Sequence, residues 1–169
     1  ASHSAAANAS SLTWLLRAGF FIPTQREFRE IYGNGPAFGS ELRLSRGHLA
    51  AWLEIAHFGR SGKLSETEEA TKVKILSLEG GALWRIKSGK TVPYIGAGAG
   101  YFQYRETNVI GDARQGKAGF CGLGGLTMVL GQRLILDCRL KYTYCPMQPA
   151  DFKIDIGGLT AGIGLGMRF

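Results

Sequence analysis

The chain lacks the long apolar run of a membrane-spanning helix, since no uncharged stretch reaches the roughly 18 to 20 residues required. Its nearest approach, Gly119 to Gln132, is interrupted by glycines. A helical membrane protein is thereby excluded. Proline is scarce, at five residues, and the three cysteines are an odd count that makes no disulfide framework. No CxxC or HxxxH spacing groups cysteines with histidines, so neither a metal nor another cofactor is expected. A basic segment leading into an apolar stretch is also missing, so any secretory leader is expected to have been removed or to lie outside these 169 residues. Residues 1–12, opening in Ala, Ser and Asn, read as a flexible tail ahead of one domain over residues 13–169.

Glycine, by contrast, is abundant at 25 residues, and the net charge is +7. Such a charge raises the question of nucleic acid, but the positive residues alternate with apolar ones along strand-like segments instead of clustering, and no nucleic-acid partner is expected. The alternation is clearest from Arg133 to Tyr144. Leu134, Leu136, Cys138, Leu140, Tyr142 and Tyr144 share one parity, and Arg133, Ile135, Asp137, Arg139, Lys141 and Thr143 the other. The final segment repeats the pattern, with Leu159, Ala161, Ile163, Leu165, Met167 and Phe169 opposed by Thr160, three glycines and Arg168.

The same test predicts eight strands, over Thr13 to Pro23, Ala37 to Leu44, Leu49 to Phe58, Lys72 to Ile86, Thr91 to Tyr104, Lys117 to Leu130, Leu134 to Cys145 and Ile154 to Phe169. Most match or exceed the roughly 9 to 11 residues of a tilted membrane strand. Connections alternate in length. Ser45 to His48, Lys87 to Lys90 and Gly131 to Arg133 are tight turns, with Leu44 expected to face Leu49 and Ile86 to face Thr91. Thr24 to Pro36, Gly59 to Thr71, Arg105 to Gly116 and Pro146 to Lys153 are longer. The expected fold is all-β, an eight-stranded antiparallel up-and-down transmembrane β-barrel with short periplasmic turns and longer extracellular loops.

Which face meets lipid follows from content. The apolar parity is too bulky for a narrow lumen, whereas the polar parity carries both signs: Arg17, Arg43, Arg85, Arg139 and Lys141 against Glu41, Glu54, Glu79 and Asp137. Placing an Arg or Lys at mid-bilayer costs roughly 2 to 4 kcal/mol, so these nine residues are assigned to the lumen as an ion-pair network. Trp14, Trp84 and Phe169 near the short-turn rim, with Phe20, Tyr101, Tyr142 and Tyr144 toward the other, are expected as membrane-interface aromatics.

The runs Phe21-Ile22-Pro23, Ile31-Tyr32-Gly33-Asn34-Gly35, Val92-Pro93-Tyr94-Ile95-Gly96-Ala97-Gly98-Ala99-Gly100 and Gly164-Leu165-Gly166-Met167-Arg168-Phe169 carry a resemblance. From Thr13 onward the chain resembles the small outer-membrane barrel families, OmpA-, OmpX- and OmpW-like, with a porin-like barrel domain. The resemblance implies a bacterial outer-membrane location and Phe169 as an assembly signal for the barrel-insertion machinery. The envisaged topology places both termini in the periplasm. Outer-membrane lipid and lipopolysaccharide, and protein partners at the loops or outer wall, complete the expected contacts.

In so narrow a barrel the charged lumen reads as a plug. The expected role is non-enzymatic, structural or interaction-mediating in the cell envelope, with a larger assembly as one setting. A narrow pore for small or hydrophobic solutes is the alternative. A lipid A-modifying enzyme is the second alternative, and for it His57, Ser61, Ser65 and Glu54 were the nearest residues, with no His-x-Ser pair on one strand face and His48 on the opposite rim. Cys121 and Cys145 are expected to point inward but diagonally, roughly 7 to 8 Å apart, leaving all three thiols free. Basic loop residues Arg26, Arg29, Arg60, Lys63 and Arg114, interspersed with Glu66, Glu68 and Glu69, read equally as solvated loops or as contacts for lipopolysaccharide phosphates.

Overall fold

Alternating side chains favour strands because successive Cβ atoms point to opposite faces, and a strand greasy on one side and polar on the other must find a different medium on each. In the computed structural model, which describes residues 10–63, 70–86, 90–108, 111–147 and 154–169, the solution is a closed cylinder. The barrel strands are β1 (Ser10–Pro23), β2 (Gly35–Arg46), β3 (Leu49–Lys63), β4 (Ala70–Arg85), β5 (Thr91–Asn108), β6 (Gly111–Val129), β7 (Leu134–Tyr144) and β10 (Gly158–Arg168). A helix, α1 (Arg26–Tyr32), lies between β1 and β2, and the short strands β8 (Pro146–Met147) and β9 (Ile154–Asp155) pair with each other outside the barrel sheet. Every neighbouring pair is antiparallel, and β1 closes on β10 with Trp14 opposite Met167 and Pro23 opposite Gly158. Closure leaves no unpaired edge, the condition for a sheet to stand in hydrocarbon.

Several boundaries differ from the sequence reading. β1 begins at Ser10, opposite Arg46, so residues 10–12 belong to the barrel and not to a tail. Residues 1–9 lie outside the described residues. The turn after β2 is tighter than expected: Arg46 faces Leu49 and Leu44 faces Ala51, with Gly47 at positive φ (58°). Leu44 and Leu49 keep the same parity, so the outward face survives the shift. Likewise Ile86 donates its N–H to Pro93 O, which places it opposite Pro93 and not Thr91.

The far rim differs more. Gly59 to Thr71 and Arg105 to Gly116 are not free loops, because β3 runs to Lys63 opposite Ala70 and β5 to Asn108 opposite Gly111. With 18 and 19 residues, β5 and β6 outrun the roughly 9 to 11 needed to cross a bilayer, so their paired ends stand beyond it. The first long connection, Thr24 to Pro36, holds α1, which carries an Arg26–Glu30 pair at i,i+4 and ends where Gly33 turns to φ 67°. A scan for alternation misses a seven-residue helix, since two turns hold too few apolar positions to show the longer period. The fourth, Pro146 to Lys153, is described only at Pro146 and Met147, which form β8.

Outward positions form an apolar belt. Leu16, Leu53, Leu78, Leu140, Ile163 and Leu165 are each more than half exposed on the isolated chain. Contiguous apolar area around a full circumference far exceeds what a soluble protein leaves in water, and a hydrocarbon surround satisfies it.

Candidate functional site

The lumen is the first place to look for chemistry, and side chains fill it. Midway, Glu41, Glu54, Glu79 and Asp137 meet Arg17, Arg43, Arg139 and Lys141, all buried. Arg17 donates through Nε to Glu41 (2.8 Å) and through Nη2 to Asp137 (2.9 Å). Arg43 bridges the same two carboxylates, donating through Nε to Glu41 (2.9 Å) and through Nη1 to Asp137 (3.2 Å). Arg139 reaches Glu41 at 2.7 Å and both oxygens of Glu54 at 2.8 and 2.6 Å. Lys141 joins Glu54 (3.4 Å) to Glu79 (2.7 Å). Neutral donors complete it: Tyr94 and Thr127 donate to Asp137 at 2.7 and 2.6 Å, and Ser77 to Glu79 at 2.8 Å.

Because β7 lies across the cylinder from β3, the Arg139–Glu54 contact spans the lumen instead of following its wall. Such buried charges are tolerable only where nearly every lone pair and proton finds a partner. Eight of the nine residues assigned to the lumen network from sequence meet here. Arg85 does not. It sits near the short-turn rim, half-buried, and donates to Gly47 O at 3.2 Å, too far along its strand to face the acids.

Two apolar clusters share the lumen with the charges, which the sequence reading of a charged lumen did not foresee. Beside the charges, on β3 to β6, Trp52, Leu83, Tyr94 and Leu123 pack with Ala50 and Cys121. Toward the far rim Phe21, Phe58, Ile75, Phe102 and Tyr104 form a larger cluster with Phe28 and Tyr32 of α1. Phe21 and Phe58 meet edge to face at 5.0 Å. A helix thus closes the mouth. Tyr32 Oη shares a hydrogen bond with Thr71 Oγ1 (3.2 Å), Thr71 donates to Glu106 (3.2 Å), and Arg60 Nε donates to Tyr32 O (3.4 Å). Burial pushes the Tyr32 phenol up to about 12, with its hydroxyl neighbours Thr71 and Glu106 acting in opposite senses. Beneath the far-rim cluster a chamber remains, floored by Glu54, Glu79, Arg139 and Lys141 and roofed by Phe58 and Phe102.

The signal for the inward apolar residues was present in principle, since Trp52 and Phe58 share parity with Glu54 on β3 and Ile75 with Glu79 on β4, but apolar residues on both parities blur an alternation test. Glycines supply the room. A Cβ at Gly98 would stand 2.7 Å from the Trp52 ring, and one at Gly125 would stand 2.5 Å from Tyr94 Oη.

The seven aromatics assigned to the interfaces, Trp14, Phe20, Trp84, Tyr101, Tyr142, Tyr144 and Phe169, all face outward and are exposed, as are Phe38 and Phe120, which the sequence reading left out. Trp14 Nε1 donates to Ser40 Oγ (2.9 Å), and Trp84 stacks on His48 at 5.9 Å. His57 faces outward and Glu54 inward, so the wall separates them. Ser61 shares the His57 face but lies four residues away, about 13 Å along a strand, beyond proton-transfer reach. Ser65 lies outside the described residues. Cys121 and Cys145 point inward on β6 and beyond the end of β7, Cys121 facing Thr143, and all three thiols are free. Among the described residues no three His, Cys, Asp or Glu side chains gather as a metal site.

Above the belt, outward positions turn basic. Lys74, Arg105 and Arg114 occupy facing positions on β4, β5 and β6, and Arg105 pairs with Asp112 at 3.0 Å, a hydrogen bond that holds the Asp112 carboxyl below its ordinary range.

No family model matches the chain, and no curated protein matches it. Among solved structures it is similar to the outer membrane protein OprG from Pseudomonas aeruginosa, at 14% identity over 96% of this chain and 97% of that one, with a TM-score of 0.72. It is similar to Neisserial surface protein A (14% identity, 95% and 97% covered, TM-score 0.67). A third is Ail, the attachment invasion locus protein of Yersinia pestis, in complex with the heparin analogue sucrose octasulfate (18% identity, 96% and 99% covered, TM-score 0.61). At these identities the likeness establishes the fold, that of the small outer-membrane barrels.

Proposed function

We propose that this barrel is a non-enzymatic protein of the bacterial outer membrane, with N- and C-termini periplasmic, that acts in the envelope through its far rim and outer wall. The observation that carries the reading is the filled lumen: a charged network tied across the cylinder, an apolar cluster beside it, a larger one toward the far rim, and a helix over that mouth. A bore so occupied offers solutes no water-lined path.

Two measurements test it. The folded protein should need detergent or lipid to stay in solution and should show a heat-dependent mobility shift in a denaturing gel. A protein soluble without either would overturn the reading. In planar bilayers discrete conductance steps are not expected, and a steady unitary conductance at several voltages would establish the second reading, a narrow passage, which the chamber beneath α1 favours. A mass shift of lipid A on expression would instead support a lipid-modifying enzyme.

A further inference from the structure

We infer that the basic row Lys74, Arg105 and Arg114 is a binding site for the phosphates of outer-leaflet lipid headgroups. The inference rests on the proposed membrane placement, with the far rim outward, and adds a ligand to the outer wall.

Register sets the site. Lys74 faces Arg105 and Arg105 faces Arg114, so the three cations sit side by side on adjacent strands, about 4.8 Å apart from one backbone to the next. All point outward and are exposed. One rung toward the belt, Leu76 faces Gln103, and one further, Leu78 faces Tyr101. Apolar and aromatic positions thus give way to cations within two rungs, about 13 Å along the strand, which is the depth over which a bilayer passes from acyl chain to headgroup. Lys72 extends the row outward. His57, Leu76 and Gln103 line one groove with the three cations.

Charge balance selects the ligand. On the outward face of β4, β5 and β6 above Leu78, the carboxylate among the described residues is Asp112, and it is taken by Arg105. Among the described residues Lys74 makes no ion pair, and Arg114 acts on Asp112, two positions along its strand, only at a distance. Cations at a membrane interface with few protein counter-ions attract anionic headgroups. A phosphate diester or monoester offers several acceptors to neighbouring guanidinium groups, and the planar fork of Arg suits it. A soluble polyanion would meet the row only from the side, through the headgroup layer, so lipid phosphate is the better-placed partner.

The test uses the full chain refolded into neutral phosphatidylcholine vesicles, titrated with bisphosphorylated or with dephosphorylated lipid A and read by native mass spectrometry of the retained lipid. Wild type should prefer the phosphorylated form, and the variant K74Q/R105Q/R114Q should lose that preference by roughly 10- to 100-fold while keeping its heat-dependent mobility shift. Arg114→Gln alone, which leaves the Arg105–Asp112 pair intact, should lose part of it. Equal retention of both lipids by wild type, or an unchanged preference in the shifted variants, overturns the inference. If the variants lose binding to soluble heparin but keep the lipid preference, the row serves a sulfated glycan and the inference fails. Relief by inorganic phosphate at matched phosphate concentration would also overturn it, as marking a free-anion site. Loss of the mobility shift by wild type would instead sink the membrane reading on which it rests.

Discussion

At Asp137 the fully buried carboxylate accepts from Arg17, Arg43, Tyr94 and Thr127. Asp137→Ala leaves two guanidinium groups facing each other in the lumen, and a barrel unfolded by urea in detergent should lose about 3 to 5 kcal/mol of stability. A loss below about 1 kcal/mol would show that the layer is hydrated and replaceable. The glycines opposite the network make a separate prediction. A Cβ at Gly125 would press on Cys138 O and stand 2.6 Å from the Tyr94 ring carbon that bears the hydroxyl, so Gly125→Ala should shift the facing strand and push that phenol off Asp137 at a cost of about 1 to 3 kcal/mol. Gly122→Ala, with nothing within 4 Å of the new methyl, is the control and should be near neutral in the same unfolding assay. On the outer wall, Leu140→Arg should cost about 2 to 4 kcal/mol in a bilayer, against little in the aqueous unfolded state.

Among the elements, α1 is the one whose attachment depends on few groups. Phe28 and Tyr32, one turn apart, insert into the far-rim cluster, and Gln25 accepts at Oε1 from the Asp155 backbone N–H. Tyr32 docks as a neutral phenol, and its value of about 12 lies above the ordinary 10.0. A group whose docked pKa is raised contributes fully below its free value and loses that contribution as pH rises through the docked one. Docking of α1 should therefore hold up to about pH 10 and weaken between there and about 12. Protease nicking within residues 24–34, followed across that range, checks this, and Tyr32→Phe should remove the base-sensitive component. Nicking that is flat with pH in wild type would show that the phenol does not hold the helix.

For the whole molecule, alternation together with the tight turns was enough to read eight strands, their order and their inward parity, because a period of two assigns every side chain to a face once one face is known to meet lipid. Arg85 shows the limit of that reading: parity places a residue on a face but not at a height, and its carboxylate partners lay elsewhere along the axis. The paired ends of β3 to β6 were hidden because polar residues on both faces of a strand outside the bilayer look like a loop. Local sequence determined which residues line the lumen, which meet lipid, and that charge inside is nearly balanced. Only closure of the cylinder decided which acid meets which base across the lumen, and how the apolar clusters pack beside those pairs and over them toward the far rim. Those contacts join positions up to 120 residues apart, and the shear and circumference of the closed sheet, which no single strand encodes, bring them to the same height.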